Sequence, residues 1–275
     1  QLRGNKQLYN LNYFYRSRIH HISHYPRCCG SRHSIIMARR IKLGFVAHAE
    51  TNGAKVASKP SKGDNTNNFT QATTSKKPTA KSIGNAHSTI SPALASFACD
   101  GSNVMSLAST ETLAANSTYT IICAWTNGDY TNDTWLVSGT SNDAHWGIKA
   151  GGADVIYKAD GTKGSAAERD YPINSTANST TSYTFGSDVE MIAIVVDGTG
   201  ILEANIYNID GNKIADVAAV NSNGVSVALP IDHVLGKSDG TLGLNGEILD
   251  IAIYNTALPV HSIKGKGNKY KSLKD

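Results

Sequence analysis

The chain has 275 residues, of which 40% are apolar, 7% are aromatic and 17% are charged. It contains no apolar run of 18 residues, which excludes a membrane-spanning helix, and its four cysteines are too few for a disulfide scaffold. The length is enough to bury one sizeable core and allows one or two domains.

The net charge of +4 is unevenly distributed along the chain. Residues 1–91 contain 15 Lys and Arg against 2 Asp and Glu, a balance of +13. Residues 92–275 contain 11 Lys and Arg against 20 Asp and Glu, a balance of −9. The basic N-terminal segment is either an arm that docks on an anionic partner or a solvated, disordered tail, and the charge alone does not decide between them.

The first third of the chain has no pattern of a packed domain. Residues 1–36 show neither helical nor strand periodicity, and the first methionine is Met37. We therefore expect residues 1–36 to be a leader or upstream read-through, with no fold assigned. Residues 37–91 are rich in Lys, Thr, Ser and Asn and poor in apolar residues. They predict a basic, low-complexity arm or linker that packs little on its own.

From residue 92 onward, short apolar runs alternate with Gly, Asn and Asp turns about every 8–12 residues, the pattern of an antiparallel all-β protein. It predicts one two-sheet β-sandwich or jelly roll over residues 92–263. No helical pattern of useful length is present. We expect at most one helical turn over Pro259–Ile263 and a basic C-terminal tail over residues 264–275.

The strand and turn candidates follow from these runs. The strongest predicted strands are Tyr119–Trp125, Trp135–Val137, Trp146–Lys149, Asp154–Tyr157, Met191–Val196, Leu202–Ile209, Lys213–Val220, Gly224–Leu229 and Glu247–Tyr254. The predicted hairpin turns are Asn127-Gly128, Gly151-Gly152, Asp160-Gly161, Asp197-Gly198, Asp210-Gly211 and Asp239-Gly240. Cys99 and Cys123 fall on early strands, and we expect buried free thiols unless those two strands are adjacent.

Five segments form a set of motifs in chain order. With the pattern that each resembles, they are Ser96–Gly101 and Val104–Leu107 (F-D-G-x-x-x-x-V-x-L), Tyr119–Trp125 (F-T-I-x-x-W), Val189–Gly200 (W-H-H-V-A-V-V-Y-D-G-T-G), Ile206–Gly211 (L-Y-V-D-G) and Leu244–Pro259 (F-N-G-x-I-D-E-V-x-I-Y-N-R-A-L-S). Together they resemble laminin-G-like domains of the concanavalin A-like lectin and glucanase superfamily. The resemblance implies the sandwich fold, and such structural motifs transfer no function by themselves.

Some members of that superfamily are glycoside hydrolases, which need two carboxyl groups at a defined separation. The chain has six glutamates, and none lies in a Glu-x-Asp-x-x-Glu pattern. Glu247 and Asp250 are three residues apart in a predicted strand, whose alternation would point them to opposite faces. The sequence therefore predicts that the protein is not an enzyme, with a degenerate glycoside hydrolase or lyase as a lesser alternative.

The resemblance also implies two kinds of binding site. Laminin-G-like domains often hold calcium through loop Asp and Asn side chains, although the same residues commonly only build turns. The calcium candidates are Asp129, Asn132, Asp133, Asn142 and Asp143. Carbohydrate binding, the common use of the fold, employs exposed aromatic faces. The glycan candidates near loops are Tyr130, Trp135, Trp146, Tyr157 and Tyr171.

Two non-enzymatic functions follow from these features. The first is a structural, decoration or attachment protein of a virion, with a phage as the favoured source. It would dock on other virion or assembly proteins through residues 37–91. The alternative is a secreted or surface carbohydrate-binding module that binds host-surface glycans. We expect an oligomer in the assembly, a virion or extracellular surface location and no nucleic acid bound to the acidic body.

Overall fold

Antiparallel strands make up most of the chain that the computed structural model describes, which confirms the predicted all-β sandwich. The described residues are 41–46, 53–61, 67–82, 95–114, 116–129, 131–132, 134–139, 145–148, 154–158, 168–172, 185–186, 188–197, 203–217 and 229–272. They belong to one compact unit, Ala38–Asp275. The leader expected over residues 1–36 lies outside the described residues and stays a prediction.

Two eight-stranded antiparallel sheets form the sandwich. With the strands numbered along the chain, sheet A contains β1 (Ile41–Val46), β4 (Thr79–Ser82), β5 (Ala95–Asp100), β7 (Tyr119–Asp129), β12 (Glu190–Asp197), β13 (Glu203–Tyr207), β14 (Lys213–Val217) and β16 (Asn245–Tyr254). Sheet B contains β2 (Ser58–Pro60), β3 (Asn68–Thr70), β6 (Met105–Leu113), β8 (Thr134–Ser138), β9 (His145–Ile148), β10 (Asp154–Lys158), β11 (Glu168–Pro172) and β15 (Leu229–Val234).

The strand order brings distant parts of the chain together. Sheet A runs β14-β13-β12-β7-β16-β5-β4, with β1 also paired to β16, and sheet B runs β11-β10-β9-β8-β15-β6-β3-β2. A 3-10 turn at Thr74–Lys76 and the helix α1 (Val260–Lys271) complete the described elements. Nearly every hydrogen-bonded neighbour in the centre of the sandwich is therefore remote in sequence.

The main core lies between the two sheets. On β7, Ile121, Cys123 and Trp125 point into this core, where they meet Met105 and Leu136 from sheet B. The intervening residues of β7 are buried as well, on the outer face of sheet A. Burial on both faces explains why the run reads as continuously apolar rather than alternating. Each large side chain removed from water in this way contributes about 1.5–3 kcal/mol.

Helix α1 covers the outer face of sheet A. Its buried residues are Ile263, Gly267 and Tyr270, and the Tyr270 hydroxyl donates a hydrogen bond to the Asp250 carboxylate on β16. The predicted basic tail from residue 264 is therefore wrong, because residues 260–271 are helical. The many lysines and glycines of this segment make its few apolar residues hard to recognise as a helical pattern in the sequence. Such a helix is stabilised by tertiary packing rather than by helix propensity. Within the described ranges, no helix has the length and apolarity of a membrane span.

Short strands from the predicted arm belong to both sheets. β1 pairs with β16 and β4 with β5, while β3 pairs with β6. Phe45 and Phe69 are fully buried, and their ring centroids lie 4.9 Å apart in an edge-to-face contact. The prediction of an extended arm over residues 37–91 is wrong for the described part of that segment, and the sandwich begins well before residue 92. These residues are ordered because they pair with longer strands formed elsewhere in the chain.

The apolar runs located strands better than the turn signals located hairpins. Predicted strands 119–125, 135–137, 191–196 and 247–254 coincide with β7, β8, β12 and β16. Asp210-Gly211 and Asp239-Gly240 are turns, as predicted, with glycine φ angles of 73° and 76°. Asn127-Gly128 instead lies inside β7, where Asn127 has a φ of 55° and the register with β16 shifts. That pair forms a bulge, which uses a positive φ as a turn does.

The two cysteines of the sandwich are separated by a strand. Cys99 lies on β5 and Cys123 on β7, and β16 runs between them. Both are buried free thiols, as predicted.

Replacement of Gly267 should show how closely α1 packs on sheet A. A Cβ at this position would overlap the Ile209 carbonyl, whereas a Cβ at Gly265 on the same helix meets nothing within 4 Å. We expect Gly267→Ala to lower the melting temperature because the helix must shift away from the sheet. Gly265→Ala should be neutral or raise stability by up to about 1 kcal/mol through helix propensity. Equal thermal unfolding curves for the two variants would contradict this packing.

Alkaline pH should destabilise the sandwich in a defined direction. Burial raises the pKa of Cys99 and Cys123 above the ordinary value of 9.0, and burial together with the Asp250 charge raises the pKa of Tyr254 and Tyr270 above 10.0. The folded chain keeps these protons at a pH where the unfolded chain loses them, so this stability is present below about pH 9 and falls as the pH rises.

Urea unfolding between about pH 8 and about pH 11 measures this effect. The free energy of unfolding should decrease across the range, and Tyr270→Phe should make the decrease less steep. Because the variant also removes a donor from a buried carboxylate, it should cost roughly 1–3 kcal/mol at neutral pH. A stability that rises with pH would show that these groups are not buried as described.

Candidate functional site

Three loops meet at one end of the sandwich: the β5–β6 loop, the β7–β8 loop and the β15–β16 loop. Their backbones are joined by hydrogen bonds. Gly243 N–H donates to the Gly101 carbonyl at 3.0 Å, and Trp135 N–H donates to the Leu242 carbonyl at 2.6 Å. These bonds fix the β15–β16 loop against the β5–β6 loop and against the start of β8, so the side chains presented there are held in place rather than left on free connections.

Glycine makes this close approach possible. Gly101 has a φ of 82°, in the left-handed region that other residues rarely adopt. A Cβ on Gly243 would collide with the Leu235 carbonyl and would lie 3.1 Å from the Gly101 carbonyl oxygen. The close packing of these loops therefore depends on glycines, which have no side chain.

A row of three polar residues crosses sheet A next to this junction. Asn245, the first residue of β16, is the register partner of Asp100 on β5 and also of Asp129 on β7. Its side-chain Nδ2 donates to Asp129 Oδ2 at 3.4 Å. The strand order thus places two carboxylates on either side of one amide, although the three residues are far apart in the sequence.

Local hydrogen bonds orient the two carboxylates. Asp100 Oδ1 accepts from the Ser102 backbone N–H at 3.0 Å and from the Ser102 hydroxyl at 2.6 Å, and Asp129 Oδ1 accepts from the Thr131 N–H at 3.0 Å. Burial raises the pKa of Asp100, but the Ser102 hydrogen bonds and the Lys55 charge together bring it below its ordinary value of 3.8. Asp100 is therefore a carboxylate, without a proton, at neutral pH.

These loops enclose an open cavity of about 170 Å³. Its nine described lining residues are Asp100, Gly101, Asp129, Thr131, Asn132, Thr134, Leu242, Gly243 and Asn245. Eight of these nine residues are glycine or polar, two of the polar ones are aspartates, and none carries a positive charge. We call this cavity the loop pocket. Its chemistry is that of a site that accepts hydrogen bonds from a polar ligand.

Part of the predicted calcium set reaches the loop pocket. Asp129 and Asn132 line it, whereas Asp133, Asn142 and Asp143 lie outside the described residues. Carboxylate and amide oxygens are suitable calcium ligands. The described residues, however, bring together no group of three or more His, Cys, Asp or Glu side chains. They do not form a calcium centre of the acidic kind, and calcium stays a prediction.

The loop pocket also contains residues that sequence reasoning did not select. In the sequence, Asp100 and Asn245 stand only within structural motifs, each beside a glycine at the end of a strand. Pairing of β16 with both β5 and β7 joins them to Asp129. A polar residue next to a turn glycine was the available signal, but the register that assembles the row is not local information.

Of the five aromatic residues predicted to bind a glycan, only Trp135 has a side chain that the structure describes. Trp135 is only 7% exposed, so its ring does not offer an open face for a sugar. The backbone of β9 and β10 pairs Trp146 with Tyr157, and Tyr171 lies on β11, while the side chains of these three residues are outside the description. Tyr130 also lies outside the described residues. A platform on β9–β11 therefore remains a prediction.

Glu247 and Asp250 lie on the same face of sheet A, contrary to the prediction from the sequence. A register shift between Ile248 and Asp250 inserts one residue, so both carboxylates lie on the outer face of sheet A. Glu247 accepts from the Lys81 ammonium at 2.8 Å and from the Ser96 hydroxyl at 2.9 Å. Asp250 accepts from Tyr270 beneath α1. Strict strand alternation predicted opposite faces, and the bulge overturns that premise.

Comparisons with known proteins place the chain near several binding domains. No protein-family model matches the chain, and no curated protein matches it in sequence. A CBM40 module of Ruminococcus gnavus IT-sialidase, bound to α2,3-sialyllactose, has a TM-score of 0.40 at 15% identity, over 56% of this chain and 84% of the module. The binding domain of botulinum neurotoxin DC, in complex with rat synaptotagmin II, has a TM-score of 0.46 at 13% identity, over 86% of this chain.

This chain spans about half of the botulinum neurotoxin chain, 52% of its length. A second neurotoxin structure, of type C, whose cell entry depends on two ganglioside molecules, has a TM-score of 0.44 at 12% identity. These scores are below 0.5, and the sandwich assignment rests on the strand pairing of this chain itself.

Proposed function

We propose that the protein is a non-enzymatic carbohydrate-binding module and that the loop pocket is its sugar site. The observation that carries the proposal is the row Asp100–Asn245–Asp129 at the wall of a polar cavity. Carboxylates and amides at fixed positions are the groups that recognise the hydroxyls of a sugar by hydrogen bonding. A module of this kind acts where glycans are displayed, on an extracellular or virion surface.

The cavity dimensions suit a small ligand unit. At about 170 Å³, it is smaller than the roughly 300–1,000 Å³ of pockets that enclose drug-sized molecules. It is also open, so a longer glycan can extend beyond it. We therefore expect one sugar ring to enter the pocket, while the rest of the chain stays in solvent.

The ionised state of Asp100 makes it unsuited to the role of general acid in hydrolysis. A glycosidase needs one carboxyl group that keeps its proton, so that it can protonate the leaving oxygen. The Ser102 hydrogen bonds hold the pKa of Asp100 below its ordinary value, against the opposing effect of burial. Asp100 is thus suited to accept hydrogen bonds from hydroxyl groups and not to act as a general acid.

The virion role predicted from the sequence loses its main support. It required residues 37–91 to extend as a docking arm. β1, β3 and β4 pair instead with strands of the same sandwich, so the described part of this segment does not extend as a free arm. No contact of the described residues favours docking on other virion proteins over glycan binding.

Pocket substitutions on a glycan array test the proposal. The full chain should bind at least one neutral glycan on the array, and Asp129→Ala and Asn245→Ala should each weaken that binding about tenfold or more, because each removes part of the row. The control is Asp210→Ala, which removes an exposed aspartate that pairs with Lys271 beside α1. Melting temperatures of all variants should stay close to that of the parent.

Two results would contradict the proposal. The first is an absence of binding to every glycan, which would reject the function itself. The second is binding that survives both pocket variants, which would move the site elsewhere, for example to the strands β9–β11. Repeating the array in EDTA tests calcium separately, and direct recognition by the carboxylates predicts equal binding with and without the chelator.

A further inference from the structure

We infer that the loop pocket selects its ligand by charge, taking an uncharged, hydroxyl-rich sugar unit and rejecting the corresponding acidic sugar. This inference rests on the proposed function and names the class of glycan that the pocket can accept. It follows from three features of the described residues: the charges of the lining, the placement of the nearby lysines and the hydrogen-bonding roles that remain available.

The lining itself contains negative charge without a matching positive group. Asp100 and Asp129 are the ionisable residues among those that line the loop pocket, and none of the nine is Lys, Arg or His. Acidic sugars are usually held by a basic side chain or by several convergent N–H donors. Here the carboxylate of such a sugar would instead lie close to two carboxylates of the protein.

Lys55 and Lys76, whose charges act on Asp100 and Asp239 respectively, donate to other groups. The Lys55 ammonium donates to the Lys77 carbonyl at 3.1 Å, and the Lys76 ammonium donates to the Asp239 carbonyl. Hydrogen bonds from Thr241 lower the pKa of Asp239, and the charges of Lys237 and Lys76 add to this effect; Asp239 lies in the β15–β16 loop outside the pocket lining. Lys55 does act on Asp100 at longer range, where it helps to keep that carboxylate ionised. The lysines therefore stabilise the acidic lining and do not offer an anion a partner inside the cavity.

The internal hydrogen bonds leave a surplus of acceptors. The Asn245 amide nitrogen donates to Asp129, and the Asn132 amide nitrogen donates to the Thr131 hydroxyl at 3.4 Å. The Thr134 hydroxyl donates to the Asn132 carbonyl at 3.3 Å. Each amide nitrogen has a second hydrogen, but the Asp100 and Asp129 carboxylates can only accept, so a group that binds to them has to supply the hydrogen, as a sugar hydroxyl does.

Matched pairs of sugars measure this selection directly. The probes are methyl glucoside with methyl glucuronide, methyl galactoside with methyl galacturonide, and lactose with 3′-sialyllactose, each titrated calorimetrically into the full chain in low salt and EDTA. We expect the neutral member of a bound pair to bind about tenfold more tightly or better, since repulsion between unit charges at a few ångströms exceeds the ~1.4 kcal/mol that a tenfold change in Kd represents. High salt should narrow the difference.

The double variant Asp100→Asn with Asp129→Asn removes both charges and keeps the shapes of the side chains. It should bring the ratio of the two Kd values close to one, and each single variant should give an intermediate ratio. Asp210→Asn is the matched control at an exposed aspartate outside the pocket, and it should leave the ratio unchanged. A ratio that stays the same in the double variant would overturn the inference, because the discrimination would then come from another part of the surface.

The remaining outcomes separate this inference from the proposed function. Equal or tighter binding of the acidic sugars by the parent chain would overturn charge selection and leave glycan binding intact. No binding of any of the six probes would overturn both. Addition of calcium should not change the preference, whereas a reversal toward the acidic sugars would show that the carboxylates hold a cation and would also overturn the inference.

Discussion

The pairing of β16 along both of its edges is the constraint on which the rest of the structure depends. β7 follows one edge, and the other edge is shared, with β5 along the first half of the strand and β1 along the second. The inner face of β16 packs into the core between the sheets, while its outer face packs under α1. A shift of this strand by one residue would exchange those faces and separate every partner.

The same strand connects stability to the candidate site. Its first residue, Asn245, aligns Asp100 with Asp129, and its later residue Asp250 holds Tyr270 of the helix that covers the sheet. Two bulges in the pairing of β16 with β7 make both contacts possible. Each bulge adds one residue to one of the two strands, which changes the face on which the following side chains lie. The bulge at Asn127 adjusts the end next to the pocket, and the second bulge turns Asp250 toward the helix.

The sequence predicts the centre of the sandwich well because burial leaves long apolar runs there. Strands such as β7 and β16 are read directly, and the Asp-Gly turns that separate hairpins require a positive φ. The short strands β2 and β3 each bury only their central side chain, so they are too short for an alternating pattern to predict them. Phe69 is isolated in a polar segment and Phe45 lies in an apolar stretch of only five residues, so both are buried only because their strands pair with remote strands.

The candidate site was visible only in part for the same reason. Asp129 and Asn132 stand close together in the chain, so their oxygens suggested a shared ligand. Asp100 and Asn245 join them through strand register, which depends on the whole topology. Trp135 shows the opposite error, because a tryptophan near a loop has no local sign that tells a buried ring from an exposed one.

The most direct test of the central claim is a nuclear magnetic resonance titration of the ¹⁵N-labelled full chain with a neutral glycan. We expect that the amide signals that move belong to residues at the loop pocket, including Asp100, Thr131 and the side-chain amide of Asn245. Signals that move only on β9–β11, or the absence of any movement, would contradict the assignment of the sugar site to the loop pocket.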